Sequence, residues 1–270
     1  MDYVKENKAA WEEAFDIHQK GWKYDVADKL LEKDFLFLEE EAIAELRSIG
    51  LAGKTVAQFC CNNGRELLSL IKMGAQSGVG FDLAENFIQE ARRIAAKVNF
   101  PCEFTAADVL KIDDHYKAQF DLVLVSIGAL CWFDDLTRFF EKVALVLKEN
   151  GIVVIHEIHP FTNLLAAPGE EAFEQESPEK FTYSYFRKEP MIETNGIDYI
   201  GGTQYPSKPF YGFLYTFSDL FNALTHNNIS MLKLTEFNHD VSGMFGHLDR
   251  QKVPLSYLLI GRKGADRVNI

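Results

Sequence analysis

The sequence predicts an α/β fold: a doubly wound, mostly parallel seven-stranded sheet, preceded by helices and interrupted late by an inserted lid or hairpin. Three observations carry that expectation. From residue 54 to 158, short apolar runs alternate with helix-patterned stretches, the rhythm of repeated βαβ units. Two of the runs, LVLVSI and IVVIHEI, are almost continuously apolar, as strands covered on both faces must be. Residues 160–210 then break the rhythm with six prolines, from Pro160 to Pro209.

The elements follow in order. Over residues 3–49, Ala10, Trp11, Ala14, Phe15 and Ile17 recur at helical spacing, Gly21 marks a break, and residues 35–46 repeat the pattern with a solvated acidic face at Glu39, Glu40 and Glu41. Strands are expected over 55–60, 77–81, 102–106, 120–126 and 151–158, with helices over 64–73, 84–97 and 136–148. The last of these helices is led by Asp134 or Asp135 as a cap and closed by Asn150-Gly151. In the inserted segment, FTYSYF alternates like an exposed strand, and ETNGIDYIGG carries an Asn-Gly turn signal. Thr216 with Asp219 three residues on opens a further helix, and strands at 229–237 and 253–261 finish the pattern. The expected organisation is a helical extension, 1–49, and one main domain, 50–270, that carries 160–210 as its lid.

Composition narrows the class. The 270 residues are 47% hydrophobic and 25% charged, enough for a core without metals or disulfides. A net charge of -12 and the lack of a basic stripe oppose binding to a nucleic-acid backbone. No apolar run of membrane-spanning length and no secretory leader is present, so a cytoplasmic, non-membrane protein is expected. Cys60, Cys61, Cys102 and Cys131 show no zinc or dithiol spacing and read as buried thiols in a reducing compartment; no metal site is expected.

In an open parallel sheet the ligand crevice lies beyond the C-terminal strand ends, which nominates residues 60–66, Asp82, Asp108, 126–132 and 156–159. The first turn, Cys60-Cys61-Asn62-Asn63-Gly64, keeps one glycine where a loop around a pyrophosphate would use several. It can work if Cys60 and Asn62 take ordinary dihedrals, or if Asn62 or Asn63 takes a left-handed one. Such a loop counts against a dinucleotide more than against a phosphate-free nucleoside. Asp82 is placed to accept from two ribose hydroxyls or to cap the following helix, and Asp108 to accept from an adenine amine, with the Val109 amide beside it.

Those residues, in that order, resemble the class I S-adenosylmethionine-dependent methyltransferases. VAQFCCNNGRELLSL is similar to their first motif, with Gln58 where an acid is usual, and GVGFDLAENFIQEAR to their second. FDLVLVSIGALCWFDDLTRFFEKVALVLKENGIVVIHEIHPF resembles a bacterial subgroup that acts on small molecules. The resemblance implies the Rossmann-like methyltransferase fold and S-adenosylmethionine as cofactor. It puts Gln58, Phe59, Cys60, Cys61, Asn63 and Gly64 beside the methionine part, with Glu66 at the helix start. Asp82 and Leu83 fall at the ribose, Asp108 and Val109 at adenine, and Ser126, Ile127 and Gly128 under the sulfonium.

A methyl transfer needs alignment and exclusion of water more than a strong base. Where a proton must leave, His156 and His159 are the nearest bases, on opposite faces of the fifth strand. Trp11, Trp22, Tyr24, Trp132, Tyr183, Tyr185, Phe210 and Tyr211 are the aromatic candidates for enclosing a small-molecule methyl acceptor. A homodimer is compatible with the sequence. Two other readings are a non-catalytic sensor that binds the same cofactor, and a nicotinamide-dependent oxidoreductase; the second lacks both the glycine-rich loop and a Tyr-x-x-x-Lys pair.

Overall fold

A computed structural model describes residues 2–264. The main sheet is built from β1 (Thr55–Phe59), β2 (Ser77–Asp82), β3 (Cys102–Ala106), β4 (Phe120–Val125), β5 (Leu147–Ile158), β8 (Ile229–Phe237) and β9 (Ser256–Lys263), in the order β3-β2-β1-β4-β5-β9-β8. The five strands from β3 to β5 run parallel, and β9 enters antiparallel between β5 and β8. The chain winds outward from β1 to β3, then crosses back to β4 and winds the other way. The crevice therefore opens between the C-terminal ends of β1 and β4.

Strand alternation fixes the two layers. Val123, Val125, Val153 and Ile155 face Phe139, Phe140 and Val143 of α6 (Leu136–Val146). Leu122, Leu124 and Val154 face the other way, toward Leu67, Leu68 and Ile71 of α4 (Arg65–Lys72) and Ile88, Ala91 and Ile94 of α5 (Glu85–Val98). Each fully buried aliphatic side chain contributes about 1.5–3 kcal/mol. A one-residue slip of any central strand would turn its whole set to the wrong layer. The capping box of Thr216 and Asp219 forms as the sequence indicates and starts α7 (Phe217–His226).

Three local expectations are corrected. The helix expected over 136–148 stops at Val146, because Leu147 already pairs with Phe120; Asn150, at φ 62°, lies within β5 rather than closing the helix. FTYSYF forms no strand: residues 181–186 are irregular, and Phe181 and Phe186 face solvent. The last strand starts at Ser256, not at Val253.

The inserted segment instead makes a two-stranded antiparallel ribbon, β6 (Met191–Glu193) with β7 (Phe210–Gly212), joined by a long loop over 194–209. The N-terminal helix α1 (Tyr3–Gly21) packs on that ribbon. Asn7 exchanges two hydrogen bonds with the Tyr211 backbone, 3.0 and 2.7 Å, and His18 Nε2 lies 2.6 Å from the Ile197 carbonyl. Helices α2 (Val26–Leu31) and α3 (Glu40–Ile49) complete the N-terminal part, and α2 packs on α4 and α5. None of the described helices is long and apolar enough to cross a membrane.

Candidate active site

The turn after β1 is held by its neighbours rather than by glycines. Cys60 and Asn62 have φ of 57° and 50°, so Asn62 takes the left-handed conformation the sequence allows it, while ordinary dihedrals at Cys60 are not found. Asparagine tolerates that region; cysteine does so at a cost of about 1 kcal/mol. The offset lies in fixed partners: the Cys61 amide donates to the Phe81 carbonyl at 3.0 Å, and the Asn62 amide to Asp82 Oδ2 at 2.8 Å. Gly64 is the one position where no side chain fits, since a Cβ would lie 2.4 Å from the Phe104 ring.

Asp82 therefore does two structural things at once, pinning the Asn62 amide and accepting from the Ala84 amide at 3.0 Å ahead of α5. Burial pushes its carboxyl up, against the amides that favour its charge. With the Leu83 amide as a third donor, one of its roughly four lone-pair directions remains for a ligand. Asp108 accepts from the Leu110 amide at 3.0 Å and pairs with Lys111 at 3.0 Å, and Val109 beside it is buried.

Between the first turn and the end of β4 lies a side-chain triad. Gln58, 1% exposed, donates through Nε2 to Glu66 Oε2 at 2.6 Å and contacts Ser126 Oγ at 2.8 Å, while its Oε1 accepts from the Leu67 amide at 3.1 Å. Ser126 Oγ also bonds Glu66. A neutral amide at position 58 thus draws a carboxylate in from the helix. Beyond Ser126, Gly128 has φ 81°, and a Cβ on it would meet nothing within 4 Å, so the turn faces open space. Phe59 is fully buried under the turn, and Ile127 and Leu83 are half-buried at the strand ends.

The two histidines sit in different surroundings. His159 Nδ1 accepts from the Phe161 amide at 2.9 Å and Nε2 faces Glu236 at 2.8 Å, so both nitrogens are engaged. His156 turns to the opposite face of the sheet, beside Phe237, and burial holds its pKa down at about 4. Among the described residues no cluster of three or more His, Cys, Asp or Glu side chains is placed to hold a metal ion.

Of the aromatic candidates, Trp11, Trp132 and Phe210 come together, with Trp11 to Trp132 at 5.4 Å and Trp132 to Phe210 at 6.3 Å. Tyr211 is buried against α1. Trp22 and Tyr24 cluster separately around Phe37, Trp22 edge-to-face and Tyr24 tilted; Tyr183 binds Glu170, and Tyr185 accepts from the Phe217 amide. Arg65 and Glu157 fall inside the strand-end segments that the sequence nominates but were given no role there, and Tyr199 was missed. Arg65 lies 5.4 Å from the Trp22 ring, bonds Asn63 and reaches Tyr199 of the insert. An arginine in the first turn of a helix, where the dipole disfavours it, was the available signal. For Glu157 the signal was a carboxylate in the apolar run IVVIHEI.

Residues 56–151 match the family described as a methyltransferase domain. A stretch of 103 residues is 29% identical to the ribosomal protein L11 methyltransferase of Neisseria gonorrhoeae, covering 38% of this chain and 32% of that one. The chain thus spans about a third of the length of that curated relative. The fold recurs in a solved structure from Listeria monocytogenes, with TM-score 0.61 and 18% identity, covering 83% of this chain and 96% of that one. It recurs again in an S-adenosylmethionine-dependent methyltransferase from Mesorhizobium loti, with TM-score 0.58 and 22% identity over 82% and 96% of the two chains. Residues 56–151 thus match a methyltransferase domain, and the strand order with its switch-point crevice is the fold these solved structures share.

Proposed function

We propose that this protein transfers a methyl group from S-adenosylmethionine to a small molecule. The cofactor is S-adenosylmethionine, which supplies an electrophilic methyl on a sulfonium. The observation that carries the reading is the pair of carboxylates at the switch point, Asp82 and Glu66. Asp82 is bonded to backbone amides, Glu66 to Gln58 and Ser126 with the Arg65 guanidinium 3.7 Å from its Oε1, and each keeps acceptor capacity toward the crevice. Asp82 accepts from a ribose hydroxyl, and Asp108 with the Val109 amide takes the adenine edge. Gln58 to Gly64, with Glu66, hold the methionine end, Glu66 accepting from its ammonium group. The turn Ser126-Ile127-Gly128 lies under the reacting methyl.

The protein's own part is alignment and dryness. Helix α1 and the insert are tied together by Asn7 and Tyr211 and bring Trp11, Trp132 and Phe210 into one apolar wall. A wall of that kind suits a partly apolar small molecule and keeps water from the sulfonium. With both nitrogens of His159 engaged, the acceptor is one whose nucleophilic atom needs no strong base, such as a thiolate, carboxylate or neutral amine.

The test is incubation with methyl-labelled S-adenosylmethionine and panels of thiols, carboxylic acids and amines, beside a ribosomal protein fraction. Label in a small molecule supports the reading. Label in protein alone would replace the acceptor class, and no transfer with intact cofactor binding would point to a sensor.

A further inference from the structure

Glu157 is a buried charge at the crevice that the proposed reaction does not use. It ends the apolar run of β5 and is 2% exposed. Both oxygens are taken: Oε1 accepts from the amides of Ala129 at 2.6 Å and Leu130 at 3.0 Å, and Oε2 from those of Gly128 at 2.9 Å and Ile158 at 3.0 Å. Burial pushes this carboxyl up and the amides oppose it; four amide donors on two oxygens leave no place for a carboxyl proton, so the bonding pattern is that of the carboxylate. All four donors are neutral. The backbone solvates the charge without cancelling it.

That charge is felt around the crevice floor. It helps to raise the Cys60 thiol at the end of β1, the Cys131 thiol after β4, and the hydroxyls of Tyr215 and Tyr257, in each case behind burial as the larger cause. Tyr215 and Tyr257 bond each other at 3.2 Å, and Cys131 donates to the Gly128 carbonyl at 3.2 Å, so these neighbours of Glu157 are uncharged. A fixed anion behind uncharged walls keeps its reach, because little water intervenes to screen it.

We infer that Glu157 is a positioning residue that acts through its charge as well as its bonds, holding the Gly128–Leu130 turn and making the crevice prefer the sulfonium form of the cofactor to the neutral thioether left after transfer. The inference rests on the proposed reading of the site. The four amide bonds alone would affect both ligands equally, since both need the same turn. The charge separates them, because the attraction ends once the methyl has left and the sulfur is neutral. The same attraction opposes the transfer step itself. The gain therefore lies in affinity for the charged form and in release of the product, not in kcat.

The experiment is calorimetric titration of the full chain with S-adenosylmethionine, S-adenosylhomocysteine and sinefungin, whose amine places a cation where the sulfonium would be. The wild type is expected to bind both cationic ligands more tightly than the neutral one. Glu157→Gln removes the charge but sets an NH2 against two of the turn's amide donors, so it is expected to weaken all three ligands through the turn and the cationic pair about tenfold more than S-adenosylhomocysteine. Equal losses for all three would reduce Glu157 to a structural role and overturn the inference. So would a wild type that binds S-adenosylhomocysteine about tenfold more tightly than both cations, a result that needs no variant to fold. Binding of none of the three by the wild type would remove the cofactor reading, and this inference with it.

Discussion

Gln58 Nε2 and Glu66 Oε2 meet at 2.6 Å across the first strand-to-helix turn, so the carboxylate nearest the end of β1 comes from the helix and not from the strand. Glu66→Gln is expected to weaken S-adenosylmethionine binding at least about tenfold, the loss of a charge-assisted hydrogen bond to the ligand. Calorimetry checks the affinity, and urea unfolding should show a smaller change than for Gln58→Ala. The latter strands the buried Leu67 amide and is expected to cost about 1–3 kcal/mol of stability.

Cys60 sits left-handed at φ 57° without a glycine's freedom. Cys60→Gly is expected to leave stability within about 1 kcal/mol, relief of backbone strain offsetting lost packing and greater freedom of the unfolded chain. Cys60→Val should destabilise by more than that, since a β-branched residue resists this conformation more strongly. Thermal unfolding of the two variants side by side decides it.

His156 gives the protein an acid-sensitive core. Its pKa falls from the ordinary value of 6.5 to about 4 through burial, with Glu41 acting against that shift and His239 with it. The unfolded chain binds the proton first, so this contribution to stability is complete above about pH 6.5 and is lost as pH falls toward 4, by at most roughly 3 kcal/mol. Urea unfolding from pH 7.5 to 4.5 should show that slope, and His156→Phe should flatten it.

Asn7 ties α1 to the ribbon through two buried bonds with Tyr211. Asn7→Ala is expected to cost about 2 kcal/mol and to speed proteolysis of the 194–209 loop, while the sheet keeps its resistance. Mass spectrometry of timed digests locates the cuts.

The sheet was legible because its strands are buried on both faces and its helices on one, which writes two periods into residues 54–158. The end of α6 was misread because Asn150-Gly151 has the composition of a helix stop, and only pairing of Leu147 with Phe120 reveals a strand there. FTYSYF misled for a related reason: alternation shows that a strand would be tolerated, but residues 181–186 find no partner strand. At the site, Asp82, Asp108 and Gly64 stand out because strand ends nominate them. Glu66, Ser126 and Gln58 were each nameable, but their meeting depends on distances between elements that no local pattern encodes. Glu157 and Arg65 lay within nominated strand ends, but what marked them individually was a violation, a charge in a buried strand and a cation at a helix start.

The most direct measurement is the affinity of the wild type and of Asp82→Ala for S-adenosylmethionine by titration calorimetry, with circular dichroism confirming that both are folded. The account predicts saturable binding by the wild type below about 1 mM and a loss of at least about tenfold in the variant. A folded wild type that shows no binding at millimolar concentration, or an Asp82→Ala protein that binds as well as the wild type, would contradict it.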